Sequence, residues 1–119
     1  MHARVTTLQT TAEQHEEGVR TVVDEYVPWI RESSGFRGII GLYDAEQGRS
    51  IVVTLWDDEV SRAASAAGAD RLSALSADVS GAKREHMRNY VVDYFELDGK
   101  SLLPPRKAEA RPSDDVDSA

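Results

Sequence analysis

The stretch that decides the fold is residues 35–59, GFRGIIGLYDAEQGRSIVVTLWDDE. It holds two β-rich runs, Ile39–Tyr43 and Ile51–Trp56, around a polar turn, Asp44–Arg49, that contains Gly48. β-branched and aromatic residues suit a pleated, half-buried surface, and glycine suits the turn. Ile51–Trp56 is apolar on both parities, as a central strand covered on two sides would be. Asp57, Asp58 and Glu59 follow at once. Acidic residues there fit a helix start, where a carboxylate accepts from free backbone N–H groups and favours the helix dipole. The stretch therefore predicts two strands, entered from one helix and left into another.

Upstream, Ser33-Ser34-Gly35 ends the first helix, with Gly35 suited to a left-handed cap. Apolar residues at Val19, Val22, Val23, Tyr26, Val27 and Ile30 form one helical stripe. Thr11 and Gln14 fit a capping box at its start. Pro28 interrupts the stripe and predicts a kink or a tightened second segment from there, because its ring clashes with the carbonyl of Asp24 and it has no N–H. Ala3–Gln9 reads as the first strand, and Gly38 and Gly41 suggest a bulge or a close backbone approach in the second. Downstream, Val60, Ala64, Leu72, Leu75 and Val79 give a weaker helical stripe that Gly81 stops, and Arg88–Leu97 reads as the last strand. Composition changes at Asp98, dividing the chain into a domain over 1–97 and an arm over 98–119 whose last residues, Arg111–Ala119, read as disordered.

The order β-α-β, β-α-β predicts an α+β, ferredoxin-like split βαβ arrangement. It has a four-stranded antiparallel sheet with both helices on one face. Val52, Thr54 and Trp56 are expected to face those helices. The strands carry apolar residues on both parities, so the opposite face would be a large exposed patch. A second copy packed on it, giving a homodimer, is the simplest cover.

Composition narrows the functions. One domain fits 119 residues. A net charge of −7 with no cluster of Lys and Arg argues against nucleic acid as a partner. There is no cysteine, hence no thiolate chemistry. No run approaches the ~18 apolar residues of a membrane helix. The first residues alternate like a strand and do not resemble a signal peptide, so a soluble, cytoplasmic protein is expected. His2, His15 and His86 show no metal-ligand spacing, and no glycine-rich phosphate loop follows a strand. Neither a metal nor a cofactor is expected.

Two segments resemble the antibiotic biosynthesis monooxygenase family of dimeric α+β barrels. One is the corner Ser34-Gly35-Phe36-Arg37-Gly38, with Ser34 where the family tends to have proline. The other is Leu55-Trp56-Asp57-Asp58-Glu59 running into Ala63-Ala64. The resemblance covers residues 3–97. It implies a dimer forming an α+β barrel and a cofactor-independent monooxygenase of a small aromatic, quinol- or anthrone-like substrate. The haem-degrading relatives have a first-strand Asn and a later His; here Thr7, Gln9 and Ser65-Ala66 stand at those places, which argues against haem breakdown. A non-catalytic ligand-binding or interaction dimer of the same fold is the alternative.

Candidate site residues follow from residue chemistry. Trp56 is either a pocket wall for a flat ring or a core anchor. His15, one turn before Val19, is the natural acid–base group near neutral pH. Tyr94 is a second catalytic candidate, through its hydroxyl. Tyr43 and Tyr26 could line a cavity, and Asn89 and Arg37 could hold an anionic oxygen at strand ends. Each also has a plain structural explanation in packing or solvation. The pair Asp57-Asp58 is accounted for by helix capping.

Overall fold

The computed structural model describes residues 1–66 and 83–101. Four strands form one antiparallel sheet: β1 (His2–Gln9), β2 (Phe36–Asp44), β3 (Arg49–Trp56) and β4 (Lys83–Val91), in the order β2-β3-β1-β4. Only β2 and β3 are joined as a hairpin. The other connections each skip a strand, which is the ferredoxin-like split βαβ topology.

The first crossover is helical from residue 12 to residue 30 but not uniform. It comprises α1 (Ala12–Thr21), a π-helical turn (Val22–Tyr26) and α2 (Val27–Ile30). Thr11 opens it with the expected capping box: Gln14 N–H donates to Thr11 Oγ1 (3.1 Å) and Thr11 N–H to Gln14 Oε1 (2.9 Å). Pro28 produces the π turn rather than a simple kink. One extra residue in the turn lets Val27 N–H reach back five residues to the carbonyl of Val22. The proline then falls at the start of α2, where its missing N–H costs least.

The helix ends in the corner singled out above. Gly35 adopts φ +78°, and its carbonyl accepts from Asp57 N–H (2.8 Å). A Cβ placed there would lie 2.2 Å from Ser61 Oγ. The corner thus presses against α3 (Glu59–Ala64), which Asp58 caps by accepting from Ser61 N–H (2.7 Å). That backbone contact, with the Ser61 hydroxyl, holds the Asp58 carboxyl below its usual range. Asp57 instead pairs with Arg37 (2.7 Å). The stripe read beyond Ala66 lies outside the described residues.

β2 carries a bulge at Arg37, between the pairs Phe36–Trp56 and Gly38–Leu55. At the other end of the hairpin, Asp44 Oδ1 accepts from the backbone of Glu46 and Gln47. Gly48 takes φ +66° beside the carbonyl of Thr10. Ser50, Val52, Thr54 and Trp56 face the helices, as expected for three of them. Arg4 shows the same for β1: its guanidinium, buried in the sheet–helix layer, donates to Ser65 Oγ (3.1 Å) and to the Arg62 carbonyl (2.6 Å) of α3.

The last strand differs from its sequence reading. It begins at Lys83 and stops at Val91, not Leu97. Its extent matches that of its partner: β4 pairs along the whole of β1, from Gln9–Lys83 to His2–Val91. Val92 N–H makes one last bond, to the carbonyl of Met1. Pairing also makes a strand of the charged run Lys83–His86. A bulge there, between Thr7 and Leu8, leaves Glu85 without a strand partner, and its carboxylate takes both Arg49 (2.7 Å) and Gln9 (3.0 Å). Residues 96–101 form a small hairpin, β5 (Glu96–Leu97) and β6 (Lys100–Ser101). Its two-residue turn, Asp98-Gly99, has positive φ at both positions, so the composition change at Asp98 falls inside a turn.

Among the described residues no helix lies on the other face of the sheet. That face presents Ile40 and Leu42 of β2 and Tyr90 of β4, all exposed. No described helix is long and apolar enough to cross a membrane.

The Gly35 corner gives a direct test. Gly35→Ala is expected to destabilise the fold by about 2 kcal/mol or more in urea denaturation, from the left-handed backbone and the overlap with Ser61 together. Gly41→Ala, at a site with nothing within 4 Å of the added Cβ, is expected to cost far less.

Candidate functional site

Two regions fill the space between helix and sheet. One is solid. Trp56 and Ile30 are fully buried with Tyr26 beside them, and Val22, Phe36 and Ile39 pack around the three. Phe36 meets Trp56 edge-to-face (5.5 Å), and Trp56 Nε1 donates to Thr54 Oγ1 (3.0 Å), so both the ring and its polar atom are satisfied.

The other region is a cavity of about 450 Å³. Val19, Val22, Val23 and Val27 wall it on the helix side, and Ile39 and Val52 on the sheet side. Two glycines also line it. Gly18 sits inside α1, where glycine costs about 1 kcal/mol relative to alanine. Gly41 sits inside β2 and has open space where a Cβ would project.

The polar groups gather at one end: Thr10, Gln14, His15, Tyr43 and Ser50. The fold explains the grouping. The capping box starts α1 beside the end of β1, which puts His15 one turn in and over the hairpin. The β2–β3 register makes Tyr43 and Ser50 direct partners at the hairpin's turn end. The His15 ring stacks on Tyr43, with centroids 4.1 Å apart and planes 14° from parallel. His15 Nδ1 lies 2.6 Å from Ser50 Oγ, and Ser50 Oγ lies 2.9 Å from Thr10 Oγ1. Among the described residues His15 Nε2 makes no hydrogen bond. The described residues of the cavity lining include no Lys, Arg, Asp or Glu. No group of three His, Asp or Glu among the described residues could hold a metal ion.

Of the residues proposed from sequence, His15 and Tyr43 come together at this cavity. Trp56 and Tyr26 lie in the solid core, outside the lining. Tyr43 and Trp56 stand at opposite ends of the hairpin. Trp56 is six residues along β3 from Ser50, the partner of Tyr43, a span of roughly 20 Å. Arg37 is exposed in its ion pair with Asp57. Asn89 is exposed on β4, opposite Arg4. Tyr94 is exposed beyond β4 and donates to the Glu96 carboxylate, which raises its pKa. Sequence reasoning missed Ser50, Thr10 and the cavity-facing role of Gly41. Closing the hairpin at Asp44–Arg49 would have paired Tyr43 with Ser50.

No protein-family model matches the sequence, and no curated protein matches it. Solved structures do match. An antibiotic biosynthesis monooxygenase, so described provisionally, from Deinococcus radiodurans superposes with a TM-score of 0.64 at 16% identity, covering 82% of this chain and 97% of that one. Its fold is that of the antibiotic biosynthesis monooxygenases. The ActVA-Orf6 monooxygenase of Streptomyces coelicolor, solved with nanaomycin D, has a TM-score of 0.56 at 15% identity over 75% of this chain and 82% of that one. A protein described as a dimeric ferredoxin-like protein, from an uncultured marine organism, has a TM-score of 0.59 at 13% identity, over 81% and 97%. At these identities the likeness of this chain to the monooxygenases is one of fold.

The core placement of Tyr26 has a measurable consequence. Burial pushes its phenol up to about 12, against a smaller downward pull from Arg4. The fold therefore favours the neutral phenol. Its contribution, about 3 kcal/mol, is complete below pH 10 and is lost as pH rises to 12. Urea denaturation across that range is expected to show the loss in the wild type and a much smaller one in Tyr26→Phe.

Proposed function

We propose that the protein is a cofactor-independent monooxygenase of a small aromatic, quinol- or anthrone-like substrate, acting as a homodimer. The observation that carries this reading is a 450 Å³ cavity with valine walls, no fixed charge among its described lining residues and a histidine-bearing polar end. Such a site accepts a flat, uncharged ring system and meets one oxygen on it. In this reading His15 is catalytic and Tyr43 binds substrate beside it. Trp56 and Tyr26 support the apolar end through Val22, which touches both the core and the cavity. Arg37, Asn89 and Tyr94 carry no step.

The chemistry needs no outside reductant. An activated CH₂ flanked by aromatic rings loses a proton to the His15 imidazole, and the negative charge spreads to the ring oxygen. That electron-rich anion reduces dioxygen. One oxygen atom remains as a new carbonyl and the other leaves as water with the two hydrogens of the CH₂. Anthrone plus O₂ thus gives anthraquinone plus H₂O. The protein's part is to exclude water from the anion and to manage charge and proton at the oxygen, which falls to His15.

Two copies would cover the open sheet face, and one neighbour of this fold is described as a dimeric ferredoxin-like protein. The second reading, a ligand-binding dimer without turnover, keeps the same cavity. It draws on the fact that the described residues of the lining offer only two ionisable groups, His15 and Tyr43.

Oxygen-electrode assays with anthrones are expected to show one O₂ consumed per anthraquinone formed, without release of hydrogen peroxide. His15→Ala should lower the rate about 10²-fold. Gly41→Val should abolish it by filling the cavity while the fold persists. Tight binding with no oxygen uptake by any of these substrates would favour the non-catalytic reading. On the open face, Ile40→Lys is expected to halve the mass measured by light scattering; an unchanged mass would place the interface elsewhere.

A further inference from the structure

We propose that Gly18 and Gly41 are specificity-determining residues: together they leave a slot between helix and sheet that admits a flat ligand of three fused rings. The slot stands on the geometry of the cavity; the seating of a ligand oxygen at His15 rests on the oxygenase reading above.

Glycine inside a regular element needs a reason, because it weakens helix and strand alike. Three reasons are common: a left-handed backbone, a bulge, and close approach by a neighbour. Other glycines of this chain show them. Gly35, Gly48 and Gly99 have positive φ. Gly38 follows the bulge at Arg37, and a Cβ on it would touch Leu55 Cδ1 at 3.6 Å. Gly18 and Gly41 show none of the three. Neither has positive φ. The β2–β3 register runs unbroken through Gly41, and a Cβ there would meet nothing within 4 Å. The helical ladder runs through Gly18, whose carbonyl accepts from Val22 N–H. What the two share is the cavity, which both line.

Their places in it correspond. β2 runs from the core toward the polar end, and the helix runs the other way. At the polar end His15 stacks on Tyr43. At the far end Val22 and Ile39 pack on the core. Gly18 lies between His15 and Val22 on the helix, and Gly41 between Tyr43 and Ile39 on the strand. The middle of the cavity thus has a glycine on each wall. Side chains normally fill the space between helix and sheet. Here room remains for the thickness of an aromatic ring. A single ring seated at His15 occupies the polar end alone. Three fused rings are too large for that end and must extend between the glycines.

Anaerobic binding reads the slot without turnover. Anthrone and phenol are titrated by NMR into the full-length protein and into its Gly18→Ala and Gly41→Ala variants. Each added methyl group takes space that the larger ligand needs. Each is expected to weaken anthrone binding about tenfold or more and to change phenol binding less than about threefold. Urea denaturation without ligand is expected to give a higher midpoint for Gly18→Ala and one near wild type for Gly41→Ala, as for glycines kept for space. Equal losses for the two ligands, anthrone affinity kept in either variant, or a lowered midpoint in Gly18→Ala would overturn the proposal. So would a wild type that binds no anthrone. Anthrone bound without oxygen uptake, with the expected losses in both variants, would support the slot and reject the oxygenase reading. Oxygen uptake equal in wild type and both variants would do the reverse.

Discussion

Pro28 has no N–H to give, and the helix over α1–α2 is built around that lack. A regular α-helix would set its ring against the carbonyl of Asp24. The chain inserts a residue instead, and the π turn at Val22–Tyr26 absorbs it. That turn divides the interior. Tyr26 on it and Ile30 just after join Trp56 in a solid core, while Val22, Val23 and Val27 line an open space. Core and cavity share Val22 as a common wall. The core therefore holds the helix rigidly enough for the cavity to stay open, and the two glycines that line the cavity, Gly18 and Gly41, keep it unfilled.

The same division separates residues that look equivalent in the sequence. Tyr43 and Trp56 are both aromatics at strand ends, and each could wall a pocket. Hairpin register sends them to opposite ends of the sheet. Trp56 meets Phe36 and the core; Tyr43 meets Ser50 and His15. Arg37 and Asn89, polar groups near strand ends, lie exposed, Arg37 in an ion pair with Asp57 and Asn89 on an edge strand.

Most of the fold is legible in the sequence because local signals agree with global ones. The capping box at Thr11, the helical stripe, the glycine corner at Gly35 and the aspartate cap before α3 each specify what the topology also requires. The misreading of β4 has the opposite cause. The run 92–95 has strand composition but pairs with no strand among the described residues, and Lys83–His86 pairs with β1 without strand composition; pairing decides both. The site is less legible. His15 stands out by its chemistry and its place on α1. Ser50 and Thr10 are ordinary polar residues until register and capping bring them to it, and a cavity is a property of volumes that no single residue reports.

We propose that ligand enters the space between the π turn and the β2–β3 hairpin, with its oxygen at His15. Methyl-resolved NMR during titration with anthrone under anaerobic conditions tests it most directly. The account predicts shifts concentrated at Val19, Val22, Val23, Ile39 and Val52, with Ile40 on the open face little changed. Shifts confined to the open face, or none at saturating anthrone, would contradict it.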